Sequence, residues 1–250
     1  NEFRGYLKQI YDYPGGRNIV LVGGRQIEKS TTIASKLLIN FELIPNFAQL
    51  YIAPRAVQSS VFSKSRFDVL RKSLYNGGIP LEIDQMAFKR SSIGSEIYFR
   101  SAYLNADSVR GISADAINVD EIQDILTDNL PVIEECCFHS DYKIKFYSGT
   151  QKTPECALNY YWELSTKNEW IIKCNACSKD NILNEKNISP TSLICSFCGK
   201  PIYMHDGQWI ATGDPDAEFQ GYRINQLMVP SVDLKEILNK MKRYSDAQIL

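Results

Sequence analysis

Apolar residues along this chain fall into short unbroken runs and into helical stripes, and the two kinds alternate. The run Ile19-Val20-Leu21-Val22 shows no polar alternation, which predicts a strand over 18–22 buried on both faces. A helix is expected from 29 to about 40, with Ile33, Leu37 and Leu38 on one side. Ala48–Ala53 reads as the next strand. After Pro54 an amphipathic helix is expected over 57–75, its apolar face built from Val61, Phe62, Val69, Leu70 and Leu74, and Asn76-Gly77-Gly78 stops it. Residues 83–89 and 96–101 predict two strands of a hairpin around Ser91-Ser92-Ile93-Gly94. Ala116–Val119 and 143–148 are two further strands. A lead-in helix over 3–11, closed by Pro14-Gly15-Gly16, precedes them. A strand-like piece over 222–229, Pro230 and an amphipathic helix from Asp233 follow them. Strands alternating with helices indicate an α/β fold with a central, mainly parallel sheet flanked by helices.

Between about Glu169 and Asp206 this rhythm stops. Helical periodicity disappears, apolar residues thin out, and two C-x-x-C pairs enter, Cys174/Cys177 and Cys195/Cys198. Seventeen residues lie between the pairs, a spacing that specifies a four-cysteine zinc site. Four thiolates leave no open position for water, so the expected ion is structural Zn2+ and not catalytic. Three divisions follow: 1–168 as a core, 169–206 as a small inserted zinc-ribbon module, and 207–250 as the remainder of the core. Trp170 and Trp209 flank the module and are expected to cover it. His139 and His205 are expected to be ordinary histidines, and Cys136, Cys137 and Cys156 show no metal-like order.

Charge changes the picture through its distribution. The net charge of −1 says little, but residues 55–110 carry nine Lys/Arg against five Asp/Glu, and 111–141 carry eight acids with no Lys or Arg. A basic segment followed by an acidic one suits a protein that touches phosphates and holds a metal, although ordinary solvated faces would look the same. The longest apolar runs are strand-sized, too short to span a bilayer, so no membrane partner is expected. No signal peptide is visible at the start of the chain.

The chemistry concentrates at three strand ends. Gly23-Gly24-Arg25-Gln26-Ile27-Glu28-Lys29-Ser30-Thr31 follows the first strand and has the layout of a phosphate-binding loop, G-x-x-x-x-G-K-[ST], with Glu28 in place of the second glycine. Backbone N–H groups at a helix N-terminus form an anion site, with Lys29 reaching the β/γ-phosphates of ATP and Ser30 holding Mg2+. About ninety positions on, Ala116–Val119 delivers Asp120 and Glu121. Asp120 is the second Mg2+ residue and Glu121 the base for the attacking water. Taken alone, the pair reads equally as a strand followed by an acidic helix cap. Ser148-Gly149-Thr150 ends another strand, where a parallel sheet collects ligands. These three are placed beside the γ-phosphate, with a plain turn as the alternative. The triphosphate is expected to nest between the Lys29 turn and Asp120/Glu121, brought together by neighbouring strands.

Taken in order, R-Q-x-x-K-S-T (25–31), S-V-R-G (108–111), N-V-D-E (118–121) and S-G-T (148–150) resemble the P-loop ATPase domain of tailed-bacteriophage large terminase subunits. The zinc ribbon and G-Y-R-I-N-Q-L-x-x-P (221–230) are similar to the lambda-type branch of that family. The resemblance implies an ATP-driven motor that moves double-stranded viral DNA into a procapsid, in the host cytoplasm. Its implied partners are the portal protein, a small terminase subunit and further copies of itself in a ring. ATP binding falls to Gly23, Gly24, Arg25, Gln26, Lys29, Ser30 and Thr31. Arg25 is similar to the family's γ-phosphate arginine, and Arg110 to the arginine that completes a neighbour's site, with a salt bridge to an acid just downstream as the alternative. Ser148, Gly149 and Thr150 resemble the coupling motif, and Gln9 is a loose match to an adenine-reading glutamine. A nuclease domain is implied to follow Leu250, so no nuclease activity is expected of these residues. Lys64, Arg66, Arg71 and Lys72 are candidates for gripping DNA, with a solvated helix face as the better-favoured alternative. Two alternatives remain open: a helicase-like or repair ATPase using the ribbon on DNA, or a nucleotide-binding scaffold with weak turnover. Glu28 is expected to swing outward, away from the phosphates.

Overall fold

The computed structural model describes residues 4–12, 18–24 and 26–243. Phe3, the Pro14-Gly15-Gly16 stop and Arg25 lie outside the described residues. The elements run α1 (Gly5–Asp12), β1 (Asn18–Gly23), α2 (Lys29–Leu43), β2 (Ala48–Ala53), α3 (Ala56–Phe62), α4 (Asp68–Lys72), β3 (Leu81–Gln85), β4 (Phe88–Ser91) and β5 (Glu96–Ser101). They continue with β6 (Ala116–Val119), α5 (Leu130–Glu135), β7 (Ile144–Gly149), α6 (Ala157–Glu163), β8 (Asn168–Lys173), β9 (Asp180–Ile182), β10 (Gly207–Ala211), β11 (Phe219–Ile224) and α7 (Leu234–Arg243). No helix among the described residues is long and apolar enough to cross a membrane.

All strands join one sheet in the order β10-β8-β11-β1-β7-β6-β2-β5-β4-β3, with β9 also on β8. The run from β8 to β5 is parallel, whereas β3, β4, β9 and β10 pair antiparallel at the two ends. The central strands are buried on both faces, as their unbroken apolar runs require. Leu21, Tyr51 and Tyr222 face α1, α2 and the α3–α4 segment, while Val22, Ile52 and Tyr147 face α5 and α6. On α2 the stripe Ile33, Leu37, Leu38 and Phe41 is buried, each side chain contributing roughly 1.5–3 kcal/mol by leaving water.

Three expectations are corrected in detail. First, the helix expected over 57–75 is α3 and α4 joined by a π-helical turn, Ser63–Phe67. Phe62 and Phe67 are five apart, too far to share one face of a regular helix, and the wider turn lets both face the sheet. Phe62 stacks on Tyr51 at 3.8 Å, and Phe67 meets Phe99 at 5.8 Å and Phe41 at 5.6 Å. Val61, Val69 and Leu74, expected on the core face, are exposed instead. Second, the strand expected over 83–89 breaks at Met86-Ala87 into the β3–β4 hairpin. Third, the strand expected over 222–229 begins earlier and ends at Ile224, and a 3-10 turn, Gln226–Met228, follows under an Asn225 cap.

A polar network ties the α5/α6 face together. Glu134 on α5 accepts hydrogen bonds from Tyr147 at 2.8 Å and Tyr161 at 2.6 Å, and pairs with Lys145 at 2.8 Å. Burial pushes its carboxyl up, but the hydrogen bonds from Lys145, Tyr161 and Tyr147 outweigh it and hold the group below the usual carboxylate range. A lowered folded pKa means stability present above the ordinary carboxylate pKa and lost as pH falls through the lowered one. Glu134→Ala is therefore expected to cost about 1–3 kcal/mol in denaturant melts at pH 7, through two stranded tyrosine hydroxyls. The gap to the parent protein should narrow below about pH 4. An unchanged midpoint at pH 7 would show the network to be incidental.

Candidate functional site

β1 feeds the loop and α2 leaves it. Gly23 is required by close approach: a Cβ there would lie 2.4 Å from the Ile224 carbonyl oxygen on β11. Gln26 and Glu28 both take left-handed backbone angles, φ 62° and 66°, so α2 opens from a tightly wound turn. The Lys29 ammonium, on the first turn of α2, donates to the carbonyl oxygens of Gly23 at 3.0 Å and Gly24 at 2.7 Å. It also donates to Thr150 Oγ1 at 2.9 Å, which ties the loop to the end of β7.

β6 ends at Asp120, which is buried. Its Oδ2 accepts from Ser30 Oγ at 3.0 Å, with the Tyr51 hydroxyl at 3.4 Å, and its Oδ1 accepts from Ser148 Oγ at 2.6 Å and from the Glu121 N–H at 3.1 Å. Burial pushes the Asp120 carboxyl up, and the Ser148 hydrogen bond works against that shift. Burial, with the Asp120 charge behind it, pushes the Tyr51 hydroxyl well above the ordinary phenol range. Tyr51 therefore serves as a hydrogen-bond donor to the aspartate. Oxygens flanking a small octahedral cation with bonds of about 2.1 Å sit roughly 3.0 Å apart. Ser30 Oγ and Asp120 Oδ2 have that separation, and a buried carboxylate favours a cation, so the pair fits Mg2+.

Glu121 leaves β6 with φ 52°, a left-handed residue opening the 3-10 turn Ile122–Asp124. Such geometry in a non-glycine residue is strained. The Glu121 carboxylate meets Gln123, whose Nε2 donates to Glu121 Oε2 at 2.5 Å while its Oε1 accepts from the Thr150 N–H at 3.0 Å. One expectation changes here. β1 and β6 are not neighbours, because β7 lies between them. The two halves of the site meet across a strand that itself carries Ser148, Gly149 and Thr150.

Glu28 makes an ion pair with a residue outside the loop. Its carboxylate is held by Arg4, with Nε at 3.0 and 3.1 Å from its two oxygens. That pair borders a cavity of about 420 Å³ lined by Arg4, Leu7, Lys8, Tyr11, Glu28 and Thr31. A second cavity, about 410 Å³, opens on the other side of the loop between Gly23, Gly24, Thr150, Arg223 and the ribbon residues Ile182 and Leu183.

The four cysteine sulfurs converge within 4.8 Å of one another, with 3.7 Å between Cys174 and Cys198 and 3.6 Å between Cys177 and Cys195. A tetrahedral zinc with bonds of about 2.3 Å has sulfur–sulfur edges of roughly 3.8 Å, so the set fits that ion. Each C-x-x-C pair ends in a left-handed residue, Ser178 (φ 59°) and Gly199 (φ 71°), whose N–H bonds back to the carbonyl of Cys174 or Cys195. Asn181, buried between the two knuckles, bonds Ser196, Asn187 and the carbonyls of Ile172 and Lys179. Trp170 and Trp209 meet edge to face at 5.3 Å and pack toward Tyr6 and Tyr222. They join the module to the sheet and α1, in one apolar cluster with Cys174 and Cys195.

The structure thus gathers Gly23, Gly24, Lys29, Ser30, Asp120, Glu121, Ser148, Gly149 and Thr150 at the strand ends. Thr31 lies one position further along α2, and Gln26 is exposed on the loop. Arg110 stands apart: it is exposed and pairs with Asp107, upstream of it, at 3.1 Å. Gln9, His139 and His205 are exposed, as are Lys64, Arg66 and Lys72. Arg71 is turned inward onto Glu42 at 3.4 Å and the Ile79 carbonyl, and so belongs to the structure of α4. Gln123 and Tyr51 escaped the sequence reading. No motif spacing marks them, because Tyr51 meets Asp120, and Gln123 meets Thr150, only across the sheet.

No protein-family model matches this chain, and no curated protein matches it. Among solved structures it is similar to the large terminase ATPase domain of Thermus phage P74-26, with TM-score 0.57 and 14% identity over 96% of this chain and 88% of that one. It is also similar to the large terminase of another phage, described as a thermophilic bacteriophage (TM-score 0.51, 11% identity, 64% of this chain and 42% of that one). The HK97 bacteriophage large terminase matches at TM-score 0.50 and 16% identity, over 63% of this chain and 34% of that one. The chain has the fold of phage large-terminase ATPase domains, and its match spans less than half the length of the latter two terminases.

Reduced protein is expected to carry about one zinc per chain by metal analysis. Chelation should then shift the tryptophan emission, because Trp170 and Trp209 pack where the module meets the sheet. Metal-free protein whose emission ignores a chelator would remove the site.

Proposed function

We propose that this chain is the ATPase motor domain of a phage large terminase, hydrolysing Mg-ATP to drive double-stranded DNA into a procapsid in the host cytoplasm. One observation carries the reading: Lys29 and Ser30 on α2 bond directly to Thr150 on one strand end and Asp120 on another, at 2.9 and 3.0 Å. The terminase-like fold supports it.

In this reading the loop N–H groups and Lys29 hold the β- and γ-phosphates, with Gly23, Gly24, Gln26 and Thr31 completing the cradle. Base and ribose lie on the Thr31 side, in the cavity between Arg4 and Tyr11. Ser30 and Asp120 would hold Mg2+, which would supply positive charge against the phosphates. Glu121 accepts a proton from water as that oxygen bonds to the γ-phosphorus. The bond from phosphorus to the β–γ bridging oxygen breaks, its electron pair leaves with ADP, and inorganic phosphate is released. Arg25 contacts the γ-phosphate. Arg110, exposed on its loop, completes the site of the next subunit in a ring. Ser148, Gly149 and Thr150 pass the state of the phosphate to the rest of the motor. DNA is gripped through its phosphates, which makes the grip tolerant of sequence, with Lys64, Arg66 and Lys72 as exposed candidates. The portal and a small terminase subunit are the assembly partners. Zn2+ on Cys174, Cys177, Cys195 and Cys198 is structural. No nuclease step is assigned to these residues.

The test is steady-state ATP hydrolysis with and without duplex DNA. Turnover should rise with DNA and show no strand separation, which distinguishes a packaging motor from a helicase. Lys29→Ala should abolish it, and Glu121→Gln should lower kcat by about 10²–10⁴ while nucleotide still binds. Tight binding without any Mg-dependent hydrolysis would instead mark a nucleotide-binding scaffold and overturn the motor. The loop's glutamate gives a separate prediction. Glu28→Gly should keep ATP affinity within about threefold, since the carboxylate already faces Arg4. Arg4→Ala, which releases it toward the phosphates, should weaken affinity by about tenfold. Equal affinities in parent and Arg4→Ala would show that the ion pair does not shield the loop.

A further inference from the structure

The Gln123 side chain closes a circuit that motif spacing gives no reason to expect. Its Nε2 holds Glu121 Oε2 at 2.5 Å, and its Oε1 receives the Thr150 N–H at 3.0 Å. Thr150 Oγ1 in turn receives the Lys29 ammonium at 2.9 Å. The chain Lys29–Thr150–Gln123–Glu121 therefore links the first lysine of α2 to the Glu121 carboxylate through three hydrogen bonds and one side-chain amide. The fit leaves little slack. A Cβ on Gly149 would lie 2.1 Å from Gln123 Oε1, so the glycine of the S-G-T segment is the space in which that amide sits. The Gln123 amide commits its carbonyl to one strand end and its N–H to the other. It cannot keep both bonds if Thr150 and Glu121 move relative to each other.

On the reading that this chain hydrolyses ATP, we propose that Gln123 is a positioning residue that sets the Glu121 carboxylate according to the state of Thr150. Phosphates arriving at the loop compete with Thr150 Oγ1 for the Lys29 ammonium. Whatever shift this produces in Thr150 is transmitted through its N–H to Gln123 Oε1, and through Gln123 Nε2 to Glu121. The amide thereby connects occupancy of the phosphate site to the aim of the base. A misplacement of about 1 Å at such a base costs on the order of 10²-fold in rate. Gln123 touches neither phosphate nor water in this scheme. It acts through Glu121.

The experiment compares the parent protein with Gln123→Ala, Gln123→Glu and Glu121→Asp, and with the double variant Glu121→Asp/Gln123→Ala. It reads kcat and KM for ATP and the Kd of a fluorescent ATP analogue, with thermal melting and zinc content as checks on folding. Gln123→Ala should lower kcat by about 10- to 100-fold with KM and Kd within about twofold. Gln123→Glu has the same shape and keeps an acceptor for Thr150, but it sets a carboxylate against Glu121. It should fall at least as far, and it keeps the test alive should the alanine variant fold poorly. In the Glu121→Asp background the shorter carboxylate has already left the amide, so adding Gln123→Ala should cost less than threefold more, roughly 0.6 kcal/mol or below. Parent-like kcat in both Gln123 variants would overturn the proposal. So would a loss confined to KM and Kd, or an equal fold-loss in both backgrounds. Each of these leaves the ATPase reading standing, provided Lys29→Ala is inactive. A parent protein that hydrolyses no ATP would defeat the ATPase reading and the proposal with it.

Discussion

Asp120 is a buried carboxylate claimed from two sides, and the site is arranged around that fact. Ser30 reaches it from the first turn of α2 and Ser148 from the end of β7, while the next N–H in the chain closes on the same oxygen as Ser148. A charge taken out of water is costly unless it is paired and hydrogen-bonded. Here burial raises the carboxyl's pKa, and the Ser148 and Ser30 hydroxyls pull against the rise. Because the donors come from separate elements, the aspartate can be satisfied only when β1, β7 and β6 are in register. Assembly of the sheet and assembly of the site are one event.

The loop between β1 and α2 shows how a departure from the phosphate-loop motif is accommodated. Glycine suits the position before the lysine because the backbone there takes a positive φ. Glu28 adopts that angle regardless, at 66°, and its carbonyl accepts from Thr32 to start the helix. Its side chain is drawn away by Arg4 from the segment preceding α1. The charge that would oppose phosphates is neutralised by an arginine brought from a distant part of the sequence.

The zinc ribbon shares the main core. β8 and β10 belong to the central sheet, Trp170 and Ile172 pack in the same cluster as Tyr6 and Tyr222, and Asn225 bonds the Leu183 carbonyl. Between its two knuckles the module has few apolar side chains, and Asn181 and Asn187 fill the interior with hydrogen bonds instead. Four sulfurs at tetrahedral spacing fit a zinc ion, the kind of cross-link that stabilises so small an apolar centre. The ribbon also borders the cavity beside Gly23, Gly24 and Thr150.

By itself the sequence determined the alternation of strands and helices, the four-cysteine module, and the strand ends where Lys29, Asp120 and Thr150 reside. Each of these is written locally, as an apolar run, a spacing or a strand followed by polar residues. Tertiary structure decided the rest. It placed β7 between β1 and β6, bent the α3–α4 segment so that Phe62 and Phe67 share a face, and turned Arg71 inward. It also brought Gln123 to Thr150, 27 positions apart, and Tyr51 to Asp120, 69 apart. Periodicity and motif spacing report only what neighbours in the chain do to one another. Strand order and hydrogen bonds across a sheet depend on which distant segments pack together, and that is settled when the core forms.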